Sequence, residues 1–487
     1  MENNIKNIII RVATIVAVLT LFLMFFNKSI SFEYKTIFYV MTIALVATFI
    51  EKGTIKEELE KKEAIVIVGL SLLLFLTPII LSSTFINADY MSKALKVENK
   101  VASDLIIKNQ RTVTKNMAIK IANKILGKKV DGVQISSQYQ LNPNMASVQV
   151  VNGELKWIIP LDYSSFIKYF KQNSIPGYVE VSATNPLENA ILNIQHKMIV
   201  SENSLFMDSV KRIMYINSGF KKVETHFEVD EKGNPYFVGL VQIPERNFIN
   251  YKTTKVLLLN AVTGELKKLS KEQAKKEFSW IDRLESIHAV EDRIEWYGAL
   301  QQGWLNTIIG GENINKPTTY NNRELWFVNI NGRNMLFTGM TSENSKDSSL
   351  VQGIAVDTIT GEGISFDLSG AMDEKGAVTA LDSGLGADSQ KWEPVLPQPF
   401  IKNGKFYWGC SIVSNSGIFQ KTGIVNAYQQ GEIYYAKTFE KALNKIGESL
   451  SDNNVDNTET ITVNKAVYLK LLKKIEEINQ LKNQLTE

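Results

Sequence analysis

The chain has 487 residues, 44% hydrophobic and 22% charged, with 54 Lys and Arg against 51 Asp and Glu. A net charge of +3 leaves no field strong enough to hold a polyphosphate, which excludes nucleic acid as a main partner. At roughly 150 residues per domain the length suits about three folding units, and a single cysteine, Cys410, excludes an internal disulfide or a multi-cysteine metal site.

Three long apolar runs crowd the start of the chain. The first, Ile8 to Phe26, is uncharged from Val12 onward and lacks a small-x-small cleavage pattern after it, so it reads as a retained anchor. The second, Thr36 to Ile50, is shorter than the ~20 residues a bilayer core asks for, although Phe32, Tyr34 and Tyr39 extend it toward the interface. The third, Ala64 to Ile86, carries no charge, and Pro78 should kink it. The expectation is a membrane domain over 1–90 with three transmembrane helices, meeting the lipid bilayer through residues 8–86. Lys6, Arg11, Lys52, Lys56, Lys61 and Lys62 outweigh Lys28 and Lys35 between the first two runs. By the positive-inside rule the N-terminus then stays in the cytoplasm and everything after Asn87 lies outside, with Lys93, Lys96 and Lys100 counting against that placement; if the second run only lies in the interface, the large domain is cytoplasmic instead.

Residues 91–445 show a recurring turn. Asn260-Ala-Val-Thr-Gly-Glu265, Asp357-Thr-Ile-Thr-Gly-Glu362 and the longer Asn426-Ala-Tyr-Gln-Gln-Gly-Glu432 each sit between β-rich runs. Asn or Asp accepts Asx-turn geometry and Gly supplies positive φ, so each predicts a hairpin. Aromatic strands opened by a polar turn precede them at Asn234–Val241, Glu324–Ile330 and Gly404–Ile412, and a weaker copy covers Gly153–Ile159 with Gly177–Thr184. Apolar spacing predicts covering helices near Met117–Leu126, Phe206–Met214, Phe439–Ile446 and, most strongly, along Lys271–Leu305. The fold class expected is α+β, with a body of about four repeated antiparallel β-hairpin units and covering helices.

The helix Met117-Ala-Ile-Lys-Ile-Ala-Asn-Lys-Ile-Leu126, followed by strands and a Thr-Gly-Glu hairpin, resembles PepSY-type domains, the small α+β modules of bacterial envelope proteins and protease propeptides. The resemblance covers residues from about 112 to 446, and the uneven spacing of Gly264, Gly361 and Gly431 departs from a tidy tandem. It implies an extracytoplasmic, membrane-tethered and non-catalytic protein with a binding or inhibitory role. The whole arrangement is also similar to uncharacterised membrane proteins of low-GC Gram-positive bacteria and their mobile elements.

Residues 446–460 are polar and read as a flexible linker. Over 461–487, Tyr468, Leu471, Leu472, Ile475, Ile478, Leu481 and Leu485 mark one face of a C-terminal amphipathic helix suited to its own domain, a second copy or a partner.

No nucleotide, serine-hydrolase, zinc-protease or EF-hand motif occurs, so no catalytic, cofactor or metal residue is assigned. His196, His226 and His288 have no ligand spacing, and Cys410 reads as a small core residue. Glu265, Glu362 and Glu432 read as turn residues, and Asp382–Asp388 as a plain loop. Trp280, Trp296, Tyr297 and Trp304 are candidate partner-binding residues, together with Tyr468, Leu471, Ile475 and Ile478, although a helix covering a sheet buries aromatics equally well. The function expected is a membrane-anchored envelope binding or scaffold protein at the plasma membrane, with a protein or peptide partner such as a peptidase or cell-wall enzyme. The alternatives are an envelope hydrolase whose carboxylates meet only in space, and a membrane subunit of a DNA-transfer or secretion complex.

Overall fold

The computed structural model describes residues 34–52, 60–101, 107–108, 110–130, 132–320, 325–343 and 349–447, with isolated positions 10, 14 and 18. The chain forms two compact units, Met1–Lys445 and Ile446–Glu487. The expected linker and C-terminal helix, with Tyr468, Leu471, Ile475 and Ile478, lie outside the described residues.

Three helices come first: α1 (Tyr34–Ile50), α2 (Lys61–Leu81) and α3 (Thr84–Ser92). Among the described residues one stretch is long and apolar enough to cross a membrane, Lys61–Ser92, made of α2 and α3. Helix α1 has 17 residues, about 25 Å at 1.5 Å per residue, which falls short of a ~30 Å hydrocarbon core. It packs on α2, with the Tyr39 and Phe75 rings 5.9 Å apart. Of the first apolar run only three isolated positions are described. The expected three transmembrane helices are therefore corrected to one candidate span. The multi-pass topology, and the orientation that counted three crossings, fall with them.

The body is mixed α+β with several sheets. Strands β1 (Val97–Asn99) and β2 (Ile107–Lys108) follow α3 and become the two edges of a sheet completed much later in the chain. Helix α4 (Lys115–Asn123) starts where Thr114 accepts a hydrogen bond from the Met117 amide, and it buries Met117, Ala118 and Ala122. Strands β3 (Lys129–Val130) and β4 (Val133–Gln134) make a small hairpin. A five-stranded antiparallel sheet follows: β5 (Tyr139–Leu141), β6 (Ser147–Val151), β7 (Glu154–Tyr163), β8 (Tyr178–Ser182) and β9 (Ile191–Asn193), with α5 (Phe166–Lys171) between β7 and β8.

Helix α6 (Val210–Asn217) leads into a four-stranded sheet of β10 (Lys222–Val229), β11 (Pro235–Glu245), β12 (Asn250–Asn260) and β13 (Leu266–Ser270). After α7 (Lys271–Glu277) and α8 (Ile287–Leu300) come β14 (Asn315–Pro317), β15 (Trp326–Ile330), β16 (Arg333–Ser342), β17 (Leu350–Asp357) and β18 (Gly363–Asp367). These join the early strands in the order β1-β18-β17-β16-β15-β2, with β14 on β16. Strand β1 runs parallel to β18 and β2 antiparallel to β15, so the chain leaving α3 grips both edges. Helix α9 (Glu374–Gly384) precedes the last sheet, β19 (Trp392–Lys402), β20 (Lys405–Ser414), β21 (Phe419–Asn426) and β22 (Gln429–Ala436), and α10 (Phe439–Asn444) closes the body. Sheets of seven, five, four, four and two strands stand where copies of one unit were expected.

Alternation along the strands explains why the sheets stack. On β11, Phe237 and Val241 face a core shared with Ile158 and Tyr178 of the five-stranded sheet, while Val238 and Leu240 face Ala274, Ile281 and Leu284. In the seven-stranded sheet Phe337 and Phe366 meet Trp408 and Cys410 of the last sheet, whereas Leu336, Ile354 and Val356 meet Val290 and Ile294 of α8.

Two of the three expected hairpin turns are built alike. Asn260 Oδ1 accepts from the Val262 and Thr263 amides, and Asp357 Oδ1 accepts from those of Ile359 and Thr360. Gly264 and Gly361 both take positive φ. The third departs: the chain turns early, at Ala427-Tyr428, with Asn426 opposite Gln429, and Gly431 lies inside β22 without positive φ. Lys271–Leu305 is not one helix either. Ser270 caps α7 through a reciprocal bond with Gln273, Ser286 caps α8, and 278–286 between them is irregular.

Candidate functional sites

The irregular segment 278–286 is where three sheets meet. The Leu284 and Glu285 amides both donate to Thr358 O at 2.9 Å, and the Thr358 hydroxyl donates to Asp282 O at 2.6 Å. The Asp282 amide donates to Glu228 Oε2 on β10 at 2.9 Å, and Asp282 Oδ2 accepts from the Val150 amide on β6 at 2.6 Å. Local periodicity could not sustain a helix here because this backbone is claimed by neighbouring sheets.

Behind Asp282 lies a buried group of titratable side chains. Glu228 Oε1 is 2.9 Å from His226 Nε2, and burial pushes the Glu228 carboxyl up to about 8. Burial, reinforced by the charge of Glu228, pushes the Asp282 carboxyl well up too, so the pair tends to retain a proton at neutral pH. Burial holds His226 well below its usual range, with the Arg283 guanidinium adding to the effect. Burial also opposes ionisation of Glu224, but Arg283 and the Ser286 hydroxyl overcome it and hold that carboxyl down at about 2. Arg283 pairs with Glu224, Lys271 pairs with Glu285, and Arg293 bridges Glu285 and Glu245 at 3.4 Å each.

Asp282 also borders an open cavity of about 530 Å³, lined in part by Trp280, Lys275, Arg333, Asp357 and Thr360. Two of its three lining carboxylates are already engaged. Asp357 caps the hairpin turn with Oδ1 and binds Arg333 Nη1 at 2.9 Å with Oδ2, while Asp282 holds the Val150 amide. Among the described residues no group of His, Cys, Asp and Glu is placed to hold a metal ion. The arrangement joins sheets, and the one chemical capacity it offers is a pair of buried carboxyl groups, Glu228 and Asp282, whose ionisation burial opposes.

The candidate aromatics do not converge. Trp280 borders that cavity with its ring 4.9 Å from Tyr236, and Tyr297 packs beside the α8 core. Trp296 is half-buried on α8, and Trp304 meets Phe85 of α3 edge-on at 4.7 Å. Among the described residues no ring contact joins any two of these four. His288 is exposed and 3.1 Å from Glu291, and Cys410 is buried with its thiol pushed up by burial. Asp382–Asp388 belongs to the end of α9 and a following helical turn rather than to a plain loop. Glu432 is bonded to Asn426 Nδ2, Tyr434 OH and Tyr407 OH.

A surface the sequence did not single out is an exposed apolar cluster around α5. Helix α5 turns Phe166, Ile167 and Phe170 to solvent, and Phe206 and Met207, expected on a buried helix face, lie exposed beside them. The Phe170 and Phe206 rings are 6.4 Å apart. Lys168 and Lys171 share the helix.

No family model matches the chain, and no curated protein matches it. Among solved structures, a mutant of the Synechocystis apocarotenoid oxygenase aligns at 10% identity over 62% of this chain and 63% of that one, with a TM-score of 0.21. An exo-1,5-α-L-arabinanase from a bovine ruminal metagenomic library aligns at 11% identity over 60% and 72%, with a TM-score of 0.14. The chain thus spans less than two thirds of the oxygenase's length, and likenesses this slight define neither fold nor activity.

Proposed function

We propose that this chain is a membrane-tethered binding or scaffold protein of the cell envelope that performs no chemistry of its own. The observation that carries the reading is the exposed cluster of Phe166, Ile167, Phe170, Phe206 and Met207. Aromatic and Met side chains held together in water suit a protein partner, and Lys168 and Lys171 suit an acidic rim on it. The engagement of Asp282 and Asp357 by backbone amides agrees, as does the PepSY-type resemblance. Lys52, Lys56, Lys61 and Lys62 ahead of the span, against Lys93, Lys96 and Lys100 behind it, favour a body on the extracytoplasmic side.

A photo-crosslinking residue placed at Phe170 of the full chain in native membranes tests this. A discrete protein adduct that disappears with Phe206→Ser is expected, and an adduct indifferent to Phe206→Ser would sink the reading. One observation favours a second reading, a hydrolase: two carboxyl groups, Glu228 and Asp282, that burial keeps from ionising, with Asp282 beside a cavity. Under that reading Asp282→Asn abolishes function, whereas under ours it leaves partner binding intact.

A further inference from the structure

Trp304 opens a short helical stretch whose apolar side chains point away from every described core: Leu305 and Ile308 are exposed, and Ile309 is 81% exposed. We propose that residues 304–309 form a second membrane contact, an interfacial foot that lies in the headgroup region of the bilayer beside the spanning helix. The inference rests on reading Lys61–Ser92 as that helix.

Length fixes the depth. Helix α2 has 21 residues, about 31 Å at 1.5 Å per residue, which matches a ~30 Å hydrocarbon core. The helix breaks at Ser82-Ser83, a polar pair near the end of the apolar run, so Phe85 sits just beyond the core. Trp304 meets Phe85 at 4.7 Å and therefore lies at the same level, where amphipathic rings are enriched.

The body holds that level rigidly. Asn87 is fully buried, donates to Leu81 O and Ser83 O, and accepts from Asn247 Nδ2 at 2.8 Å. Gln301 Nε2 donates to Ser92 O at 3.2 Å, tying α8, and so the segment that follows it, to the end of α3. A cluster of Phe85, Trp304, Leu305, Ile308 and Ile309 at that height has lipid as its neighbour, and apolar side chains on such a segment bind an interface by the area they bury.

The test uses the full chain with single added cysteines carrying an environment-sensitive fluorophore, reconstituted in phosphatidylcholine vesicles with and without brominated lipid. The native Cys410 is buried and does not compete for label. Positions are Ile309→Cys, Leu73→Cys within α2 as the membrane control, and Ile418→Cys, an exposed isoleucine of the last sheet, as the water control. Quenching at 309 and 73 but not at 418 is expected. If 73 is quenched while 309 behaves like 418, the foot is wrong and the span stands. If 73 also escapes quenching, the spanning helix is wrong and the foot fails with it. A blue shift at 309 that grows with protein density and ignores brominated lipid would assign the patch to a second copy and overturn the proposal.

Discussion

At the scale of single residues, the buried pair Glu228 and Asp282 gives the protein a pH signature. The folded state keeps a proton on Glu228 up to about pH 8, whereas the unfolded chain releases it near the ordinary 4.5. Its contribution to stability is therefore complete below pH 4.5 and is lost as pH rises through 8. His226 runs the other way: held well below 6.5, it contributes fully above that pH and loses its contribution as pH falls. Glu224, at about 2, contributes above 4.5 and loses that as pH falls toward 2. Stability should peak in mild acid and decline between pH 6.5 and about 8, by no more than about 1.4 kcal/mol per pH unit from Glu228, and level off above that. Glu228→Gln should flatten that decline, which thermal melts of the detergent-solubilised chain across this range would reveal; an unchanged slope would remove the pair from the account.

Asp357 is a second residue whose cost is readable from its partners. Asp357→Ala strips two turn amides and Arg333 of their acceptor, and a loss of about 1–3 kcal/mol is expected in denaturant titrations. Arg333→Ala removes only the half-exposed partner and should cost under about 1 kcal/mol. Nothing in the sequence brings Glu228 to Asp282, since the two are 54 positions apart and meet only because β10 and the segment before α8 are packed together.

At the scale of elements, turn chemistry was the most legible signal and the most instructive failure. Asn152-Gly153, Asn331-Gly332 and Asn403-Gly404 each put both residues at positive φ, the two-residue turn that matches strand twist. The Asn or Asp to Gly-Glu signature holds where Gly264 and Gly361 occupy the left-handed position. One extra residue before Gly431 was enough to move the third turn to Ala427-Tyr428. Gly264→Ala should therefore cost about 1–2 kcal/mol, because φ is +74° there, whereas Gly431→Ala, with open space around its Cβ, should be neutral or slightly stabilising. Equal penalties at the two positions would restore the hairpin expected from sequence.

The segment after α7 misled for a different reason. Phe278, Ile281 and Leu284 repeat at helical spacing, yet caps at Ser270 and Ser286 define two separate helices, and hydrogen bonds donated to Thr358 and Glu228 hold the stretch between them open. Phe206 and Met207 likewise carry helical spacing into Val210, but α6 begins only at Val210 and leaves both side chains in solvent. Spacing reports which residues share a face. It does not report whether that face is covered.

At the scale of the whole molecule, hydropathy located the membrane end but overcounted its crossings. The Lys61–Ser92 stretch is apolar and yet only 11% of its most apolar window is buried, the reverse of a core helix, so hydrocarbon is the solvent it suits. Arginine at both Leu73 and Leu76 should turn a chain that resists alkaline extraction into one that is released or fails to insert, scored by membrane fractionation. The mixed α+β class was legible from alternating and helical patterns. The seven-stranded sheet was not, because β1 and β2 close its edges from more than 200 residues away, at registers such as Val97 opposite Gly363.

The central claim is that the body binds a partner and does no chemistry, and adduct yield from the photo-crosslinker at position 170 measures it most directly. Compared in native membranes, the Asp282→Asn chain is predicted to give the same adduct at near-unchanged yield, and the Phe206→Ser chain to lose it. Loss of the adduct with Asp282→Asn in a chain that still melts normally, together with its survival in Phe206→Ser, would contradict the account.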